Sequence, residues 1–509
     1  MSVTPSPAPG ANPDPDDVQG NLVGFNKDHQ RLVFVGFPDA ASGKAFIGAL
    51  ISNIATAHDV LDFNALYKRL ATRGGAEGTV EATWCNLVLS GAGLTQIGAP
   101  GLNTMPTEFM QGMAGQAQAL GDVDDSDPRN WLPPFNQGAP AVHAMVILAA
   151  DSPDDLDAGY SRLQSTIAAT HVTELGHQDG NARPGAERGH EHFGFKDGIS
   201  QPGIAGLTEP SKDGTDIIAA GEFLIGYPDQ DGNVSGQAQP GHPTQEGDPG
   251  YPQPTPGTPA LPDWAHNGSF FVYRRLRQDV GAFNAFVSSE ASPLQMDSER
   301  VAAKLVGRWK SGAPMESVPA LPQGVDPSTS DPSTLTPAVL GDDQINAFDY
   351  TDADGSRVPR AGHIRKVNPR SSNPPGRQES NRHRLARRGI AYGPEFQPNE
   401  PPYSQGPVDD RDRGLLFQCY QSSLARGFMF VQRSWANTVD FPQAGDGHDP
   451  IISQAVQQRE FNLPPQTAHL MMARWVFTTG GEFFFSPSIT ALKQLSEKAR
   501  CCPSAQSAT

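Results

Sequence analysis

Val142-His-Ala-Met-Val-Ile-Leu-Ala149 runs through Ala150-Asp151 into Ser152-Pro-Asp-Asp155, and this junction decides the fold class. The first segment is largely apolar and reads as a buried strand. Ser152 offers a helix N-cap, Pro153 a first-turn proline, and Asp155 a carboxylate where the helix dipole favours one. Leu156, Tyr160, Leu163 and Ile167 then recur at i, i+4, i+7 and i+11, a single apolar helical face. A short strand is expected over 171–175. Working back toward the N-terminus, Thr83–Leu89 and Leu32–Phe37 read as strands. Between them Phe46, Ile47, Leu50, Ile51 and Ile54 mark a helix over 43–56. The order is β-α-β-β-α-β, the ferredoxin-like pattern.

The second half repeats the theme. Ser269–Leu276 reads as a strand, followed by helices over 279–289 and 297–309. Leu415–Tyr420 is a further strand, and Leu424, Phe428, Val431 and Trp435 recur at helical spacing. Glu482–Ser486 is the last strand. The expected fold is α+β, with duplicated ferredoxin-like domains and antiparallel sheets. The expected domains are 17–210 and 211–495, between tails at 1–16 and 496–509. Pro/Gly-rich stretches at 228–262 and 311–345 are expected as long insertions.

Composition narrows the function classes. Asp plus Glu number 56 and Lys plus Arg 38, a net charge of −18 over 509 residues. Such a balance opposes nucleic-acid binding, which draws affinity from Lys and Arg on phosphates. No apolar run approaches the roughly 18 residues that suggest a membrane span. The first residues resemble no signal peptide, so a cytoplasmic location is expected, or a secreted one if a leader has been trimmed. Cys85, Cys419, Cys501 and Cys502 form no disulfide framework.

Three segments set unusual polar residues among glycine and apolar neighbours. In Glu191-His-Phe-Gly-Phe-Lys-Asp197-Gly-Ile-Ser-Gln-Pro202, Asp197 is presented from a sharp turn. In Ala361-Gly-His363-Ile-Arg-Lys-Val-Asn-Pro-Arg370, one histidine lies among cations suited to an anionic group. His383-Arg-Leu-Ala-Arg387-Arg-Gly-Ile-Ala-Tyr392-Gly-Pro394 suits anion stabilisation or a charged loop. Taken singly, each has an ordinary reading as an Asx turn, a structural histidine or a solvated face. The P-loop, His-Glu-x-x-His, Gly-x-Ser-x-Gly and Cys-x-x-Cys patterns are missing.

Together the three segments resemble the dye-decolorising peroxidases, in particular their longer fungal and bacterial members. The resemblance rests on Gly194-Phe-Lys-Asp197-Gly198, on 361–370 and on Arg387-Arg-Gly-Ile-Ala-Tyr-Gly393. It extends, in order, through Asp17-Val-Gln-Gly-Asn21, Gly414-Leu-Leu-Phe-Gln-Cys-Tyr-Gln421, Trp435-Ala-Asn437 and Gly480-Gly-Glu-Phe-Phe-Phe-Ser-Pro487.

The resemblance implies a peroxidase reducing hydrogen peroxide and oxidising bulky dyes, phenols or other aromatics, with non-covalent haem b in the C-terminal domain. It makes His363 the axial iron ligand; the partner of its second nitrogen is left open, with Asp449 in Gly447-His-Asp-Pro-Ile a candidate. Arg365 and Arg370 would meet the haem propionates, and Ile199, Leu415 and Phe417 would line the pocket. Asp197 would move the peroxide proton, and Arg387, rather than Arg388, would stabilise developing charge. A carboxylate base stays ionised where histidine is protonated, so activity is expected to extend to acidic pH. Tyr392 and Trp435 are candidates to carry electrons to the surface, against core packing as the ordinary reading of each. Asp349, Asp352 and Asp354 raise the expectation of a Mn(II) site, against the ordinary reading of a solvated turn. The rival from another class is a haem-binding or iron-handling protein without peroxide turnover. It needs His363 but does not need Asp197 and Arg387 to act together.

Overall fold

Strand alternation organises the molecule. In His29–Gly36 (β1), Leu32 and Phe34 enter one core while Val33 and Val35 enter another, so both faces of the strand are buried. The computed structural model describes residues 12–72, 81–209, 215–237, 260–317, 345–370, 376–397, 412–454, 458–465 and 468–497.

After β1 come the helix Ala40–Leu50 (α1), the strands Trp84–Ser90 (β2) and Ala144–Ala150 (β3), the helix Pro153–Thr170 (α2) and the strand Thr173–Asn181 (β4). Ser152 caps α2 as its chemistry dictates: its hydroxyl oxygen accepts the Asp155 N–H at 3.2 Å. The last strand begins two residues later than expected and runs longer, because β4 pairs with β1 along almost its whole length. Helix α1 ends at Leu50, and a 3-10 turn over Ile51–Asn53 completes the stretch expected as one helix.

The second half contributes Ser269–Gln278 (β5), Val280–Ala291 (α3), Ser298–Val306 (α4), the short helix His363–Val367 (α5), Ala386–Arg387 (β6), Ile390–Tyr392 (β7), Gly414–Gln421 (β8) and Val476–Ser486 (β9). These nine strands join in one sheet of order β4-β1-β3-β2-β9-β5-β8-β6, with β7 also paired to β8. Both halves follow the ferredoxin-like order 4-1-3-2. In the second half β9, β5, β8 and the β6–β7 pair take those places. Every ladder in this sheet is antiparallel, and β9 joins the halves by pairing with β2 at Phe484↔Ser90 and Phe485↔Leu89.

The structure corrects several expectations. Residues 383–394, read as a charged loop, contain β6 and β7. The helix expected from Leu424 begins at Phe428 and passes into a π-helical stretch at Val431–Ala436, where the Asn437 N–H donates to Gln432 O. Asn12–Asp16, expected as tail, are held: the His58 N–H donates to Pro15 O, and the His58 ring meets Asp16. The remainder of that tail (1–11), the parts of the insertions at 238–259 and 318–344, and 498–509 with Cys501 and Cys502 lie outside the described residues. Among the described residues no helix is long and apolar enough to cross a membrane.

Candidate active site

A cavity of about 1590 Å³, its mouth included, opens in the C-terminal half. Leu276, Ile364, Val367, Leu415, Phe417, Phe428, Val431, Ile451 and Val476 make much of its wall apolar. Leu415 and Phe417 reach it together because alternate residues of β8 share a face, while Leu416 between them enters the opposite core. Ile199 also lines it.

His363 opens α5 and forms part of the wall. Gly362 before it is required by space: a Cβ there would stand 2.9 Å from Pro359 O and 3.2 Å from Lys304 O. The His363 Nδ1 lies 2.9 Å from Asp449 Oδ2, and the Asp449 side chain is fully buried. The Ile451 and Ile452 N–H groups both donate to its other oxygen at 2.8 Å. Burial opposes ionisation of Asp449, but His363 and these N–H donors outweigh it and hold the carboxyl below its ordinary range. An ionised Asp449 makes Nδ1 the donor and leaves Nε2, with its lone pair, for the cavity. That is the tautomer a metal-binding histidine needs.

A different wall carries Asp197 and Arg387. The turn before Asp197 uses Gly194 at φ +92°, and Gly198 after it has φ +74°, a left-handed conformation that glycine adopts without strain. The Gly198 N–H donates to Asp197 Oδ1 at 2.7 Å, and Arg387 Nη1 stands 3.3 Å from the same oxygen. Both side chains are about one-third exposed, at 30% and 32%. Arg387 comes from β6, opposite Cys419, and its backbone N–H donates to Gln201 Oε1. Arg388 turns the other way, where its guanidinium donates to the carbonyls of Asn21 and Leu22.

One part of the wall is cationic. Arg308, Arg370 and Arg384 line the cavity, and all three are nearly buried. Burial pushes the Arg384 guanidinium down to about 10; the charges of Arg370 and Arg387 act in the same direction and Asp216 opposes them. Crowded buried cations suit an anionic group. Arg308 and Arg384 carried no distinguishing signal in the sequence, since a lone arginine resembles any charged loop. His383 also reaches this wall, between Glu379 and the Arg426 carbonyl.

Other expected site residues lie elsewhere. Arg365 does not line the cavity: it is buried against Asp352 Oδ1 at 2.7 Å and the Val358 carbonyl. The helix explains this, because residues two apart do not share a face and Arg365 therefore points away from His363. The Mn(II) cluster does not assemble either. Asp352 is engaged by Arg365, Asp349 by Arg377, and Asp354 accepts from the Ser356 N–H. Among the described residues no three His, Cys, Asp or Glu side chains form a metal site. Tyr392 and Trp435 are both 2% exposed, so neither is a surface residue. Tyr392 lies under Arg275, while Trp435 stacks on Phe441 and meets His383 edge-to-face.

Residues 17–184 match the family described as "DyP dimeric alpha+beta barrel domain", and residues 257–444 that described as "Dyp-type peroxidase, C-terminal". The chain is 32% identical to "Dye-decolorizing peroxidase msp1" of Mycetinis scorodonius, over 94% of this chain and 86% of that protein. The chain belongs to the dye-decolorising peroxidase family. Among solved structures, an ancestral D-type dye-decolorising peroxidase superposes with TM-score 0.77 at 32% identity, covering 96% of this chain and all of that one. A decolorising peroxidase from Auricularia auricula-judae gives 0.75 at 30% identity, over 95% of this chain and all of that one. Dye-decolorising peroxidases are haem enzymes. The chain is therefore a peroxidase, with hydrogen peroxide and a reducing substrate as its reactants, and the iron-handling alternative is not favoured.

Proposed function

We propose that this dye-decolorising peroxidase holds haem b non-covalently in the cavity of its C-terminal half and oxidises dyes and other aromatics. The observation that carries the reading is one apolar cavity shared by His363, oriented by buried Asp449, and the Asp197–Arg387 pair. The donor set fits the group: a neutral imidazole nitrogen for iron, apolar walls for the macrocycle, and Arg308, Arg370 and Arg384 for the propionates. When bound, haem supplies an iron that hydrogen peroxide oxidises by two electrons and reducing substrates restore.

Asp197 takes a proton from hydrogen peroxide and returns it to the departing oxygen, which leaves as water. Arg387 stabilises the negative charge that develops as the oxygens separate. Asp449 keeps the Nδ1 proton on His363, so Nε2 remains a ligand. The test is direct: the purified protein should show a Soret band, change its spectrum on mixing with peroxide and bleach a bulky dye. A haem-loaded protein with no peroxide-dependent dye oxidation would refute the assignment.

Two results are expected around the cavity. Replacing Arg370 and Arg384 together with leucine removes charge-assisted bonds to propionates, each worth roughly 1.5–3 kcal/mol. Haem transfer to an excess of scavenger should accelerate by about tenfold or more, since each 1.4 kcal/mol is tenfold; an unchanged rate would place the propionates elsewhere. For bulky substrates, Trp435 is the better electron relay of the two aromatics considered. It touches His383 of the cavity wall (centroids 5.1 Å apart), and its stacking partner Phe441 is partly exposed. Trp435→Phe should lower dye turnover severalfold and leave the reaction with peroxide intact, while Tyr392→Phe should change neither. Equal dye turnover in Trp435→Phe and wild type would assign Trp435 to packing. Mn(II) oxidation has no support from residues 349–354, and Asp349→Asn with Asp354→Asn should leave dye oxidation unchanged.

A further inference from the structure

Glu191 lines the haem cavity and also a second cavity, where Asn21, His190, Arg188 and Arg388 are found; both cavities are shared with the Asp197–Arg387 pair. Its carboxylate is a collecting point for N–H donors. One oxygen accepts the Phe195 N–H at 2.8 Å, and the other accepts the Phe193 N–H at 2.9 Å and the side-chain amide of Gln278. The backbone closes the same ring: the Glu191 N–H donates to Phe195 O, and the Gly194 N–H to Glu191 O. Five residues are thereby fixed into a knot whose Phe193 and Phe195 rings both pack on Phe283 of α3. The chain leaves this knot and reaches Asp197 two residues later.

We propose that Glu191 is the positioning residue for Asp197: its ionised carboxylate fixes the loop that aims Asp197 at Arg387, and its protonation releases that loop. The inference rests on the assignment of Asp197 to peroxide proton transfer. Three N–H donors converging on two oxygens demand acceptors on both, and a protonated carboxyl offers one fewer while adding a donor that has no acceptor among them. A buried donor left without its acceptor is costly enough to change the loop's preferred conformation.

The groups facing Glu191 set when this happens. Arg183 donates to its carbonyl oxygen and is itself paired with Glu187 and Glu395. Asp197 repels its charge, and Lys196, His190, Arg188 and Arg387 line the two cavities it divides. Burial pushes the carboxyl up, the Gln278, Phe193 and Phe195 donors resist, and Asp197 pushes it up again; the balance lies above the ordinary glutamate value. Acid therefore reaches Glu191 earlier than it reaches an ordinary glutamate.

The test uses haem-loaded Glu191→Gln, which keeps the size of the side chain and removes its charge. The rate constant for reaction with peroxide should fall about tenfold. Wild type should show an acid limb, and Glu191→Gln should lose it over the range where Glu191 titrates, with KM for a bulky dye unchanged. Amide hydrogen exchange over 191–198 should accelerate while the global melting temperature and Soret position hold, a combination that general loss of structure does not produce. A second variant guards against misfolding. Gln278→Met keeps the carboxylate but removes one donor, so the acid limb should move to higher pH. A wild-type rate and acid limb in Glu191→Gln, or an unmoved limb in Gln278→Met, overturns the proposal. Failure of the underlying assignment is distinguishable, because it shows as a wild-type rate in Asp197→Asn.

Discussion

Asp197→Asn should retain haem and lose about 10²–10⁴-fold in the rate constant for reaction with hydrogen peroxide, the range a positioned proton-transfer group supplies. The substitution is nearly isosteric. The amide oxygen can still face Arg387 Nη1 and the Gly198 N–H, the two donors that hold Asp197 Oδ1 at 3.3 and 2.7 Å. What it removes is the ability to accept a proton. Arg387→Leu tests the other half of the pair and should cost about 10²–10³-fold, comparable to deletion of one donor to a developing anion. Stopped-flow absorbance after mixing with peroxide measures both. Wild-type rates in both variants would remove the pair from catalysis. A loss confined to Arg387→Leu would make the guanidinium the essential group and leave Asp197 as its anchor. The rate constant, rather than turnover with dye, is the proper readout, because peroxide is the reactant on which the pair is proposed to act.

His363→Ala should abolish haem retention or reduce it to a small residue, since the apolar walls and arginines then hold a macrocycle without any bond from protein to iron. The expressed variant should lack a Soret band at the wild-type position, and added imidazole should partly restore it by filling the vacated space with the same ligand. A full, unshifted Soret band with retained activity would show that His363 is not the ligand. Asp449→Asn gives the graded version. Losing a buried partner that orients a metal-bound histidine typically costs about 10–100-fold in affinity or activity. In this protein the effect should sit toward the larger end, because Asp449 is fully buried and its second oxygen is already engaged by Ile451 and Ile452. The variant amide must either turn its NH₂ toward those two N–H donors or toward the His363 Nδ1–H, and one conflict remains whichever way it faces.

How far the sequence could be read follows from where each signal resides. Strand Ala144–Ala150 and helix Pro153–Thr170 were legible because their hydrophobic period and cap are local properties. Strands Ala386–Arg387 and Ile390–Tyr392 were not: at two and three residues they have no period, and they exist only by pairing with Gly414–Gln421. The pairing places Arg387 opposite Cys419, whereas Arg388, one residue beyond the strand, turns its guanidinium to the carbonyls of Asn21 and Leu22. Arg365 shows the converse. Its nearness to His363 in sequence suggested a shared site, yet helical geometry, which the sequence could have supplied, turns it toward Asp352. The three aspartates at 349–354 looked like one cluster because charge density is easily seen in sequence and pairing is not.

By itself the sequence determined the β-α-β-β-α-β order of the first half, the identity of the one histidine in the Gly-His-Ile-Arg-Lys run, and the glycine-flanked aspartate at 197. All of these are encoded within a few residues of one another. Tertiary structure decided which groups meet. It set Asp449 against His363 across 86 positions and Arg387 against Asp197 across 190. It gathered Arg308, Arg370 and Arg384 on one cavity wall and brought the Gln278 amide to the Glu191 carboxylate across 87 positions. The physical reason is that a contact over such separations is fixed by the register of the nine-stranded sheet and by the burial of side chains against it, quantities that no local stretch of chain contains.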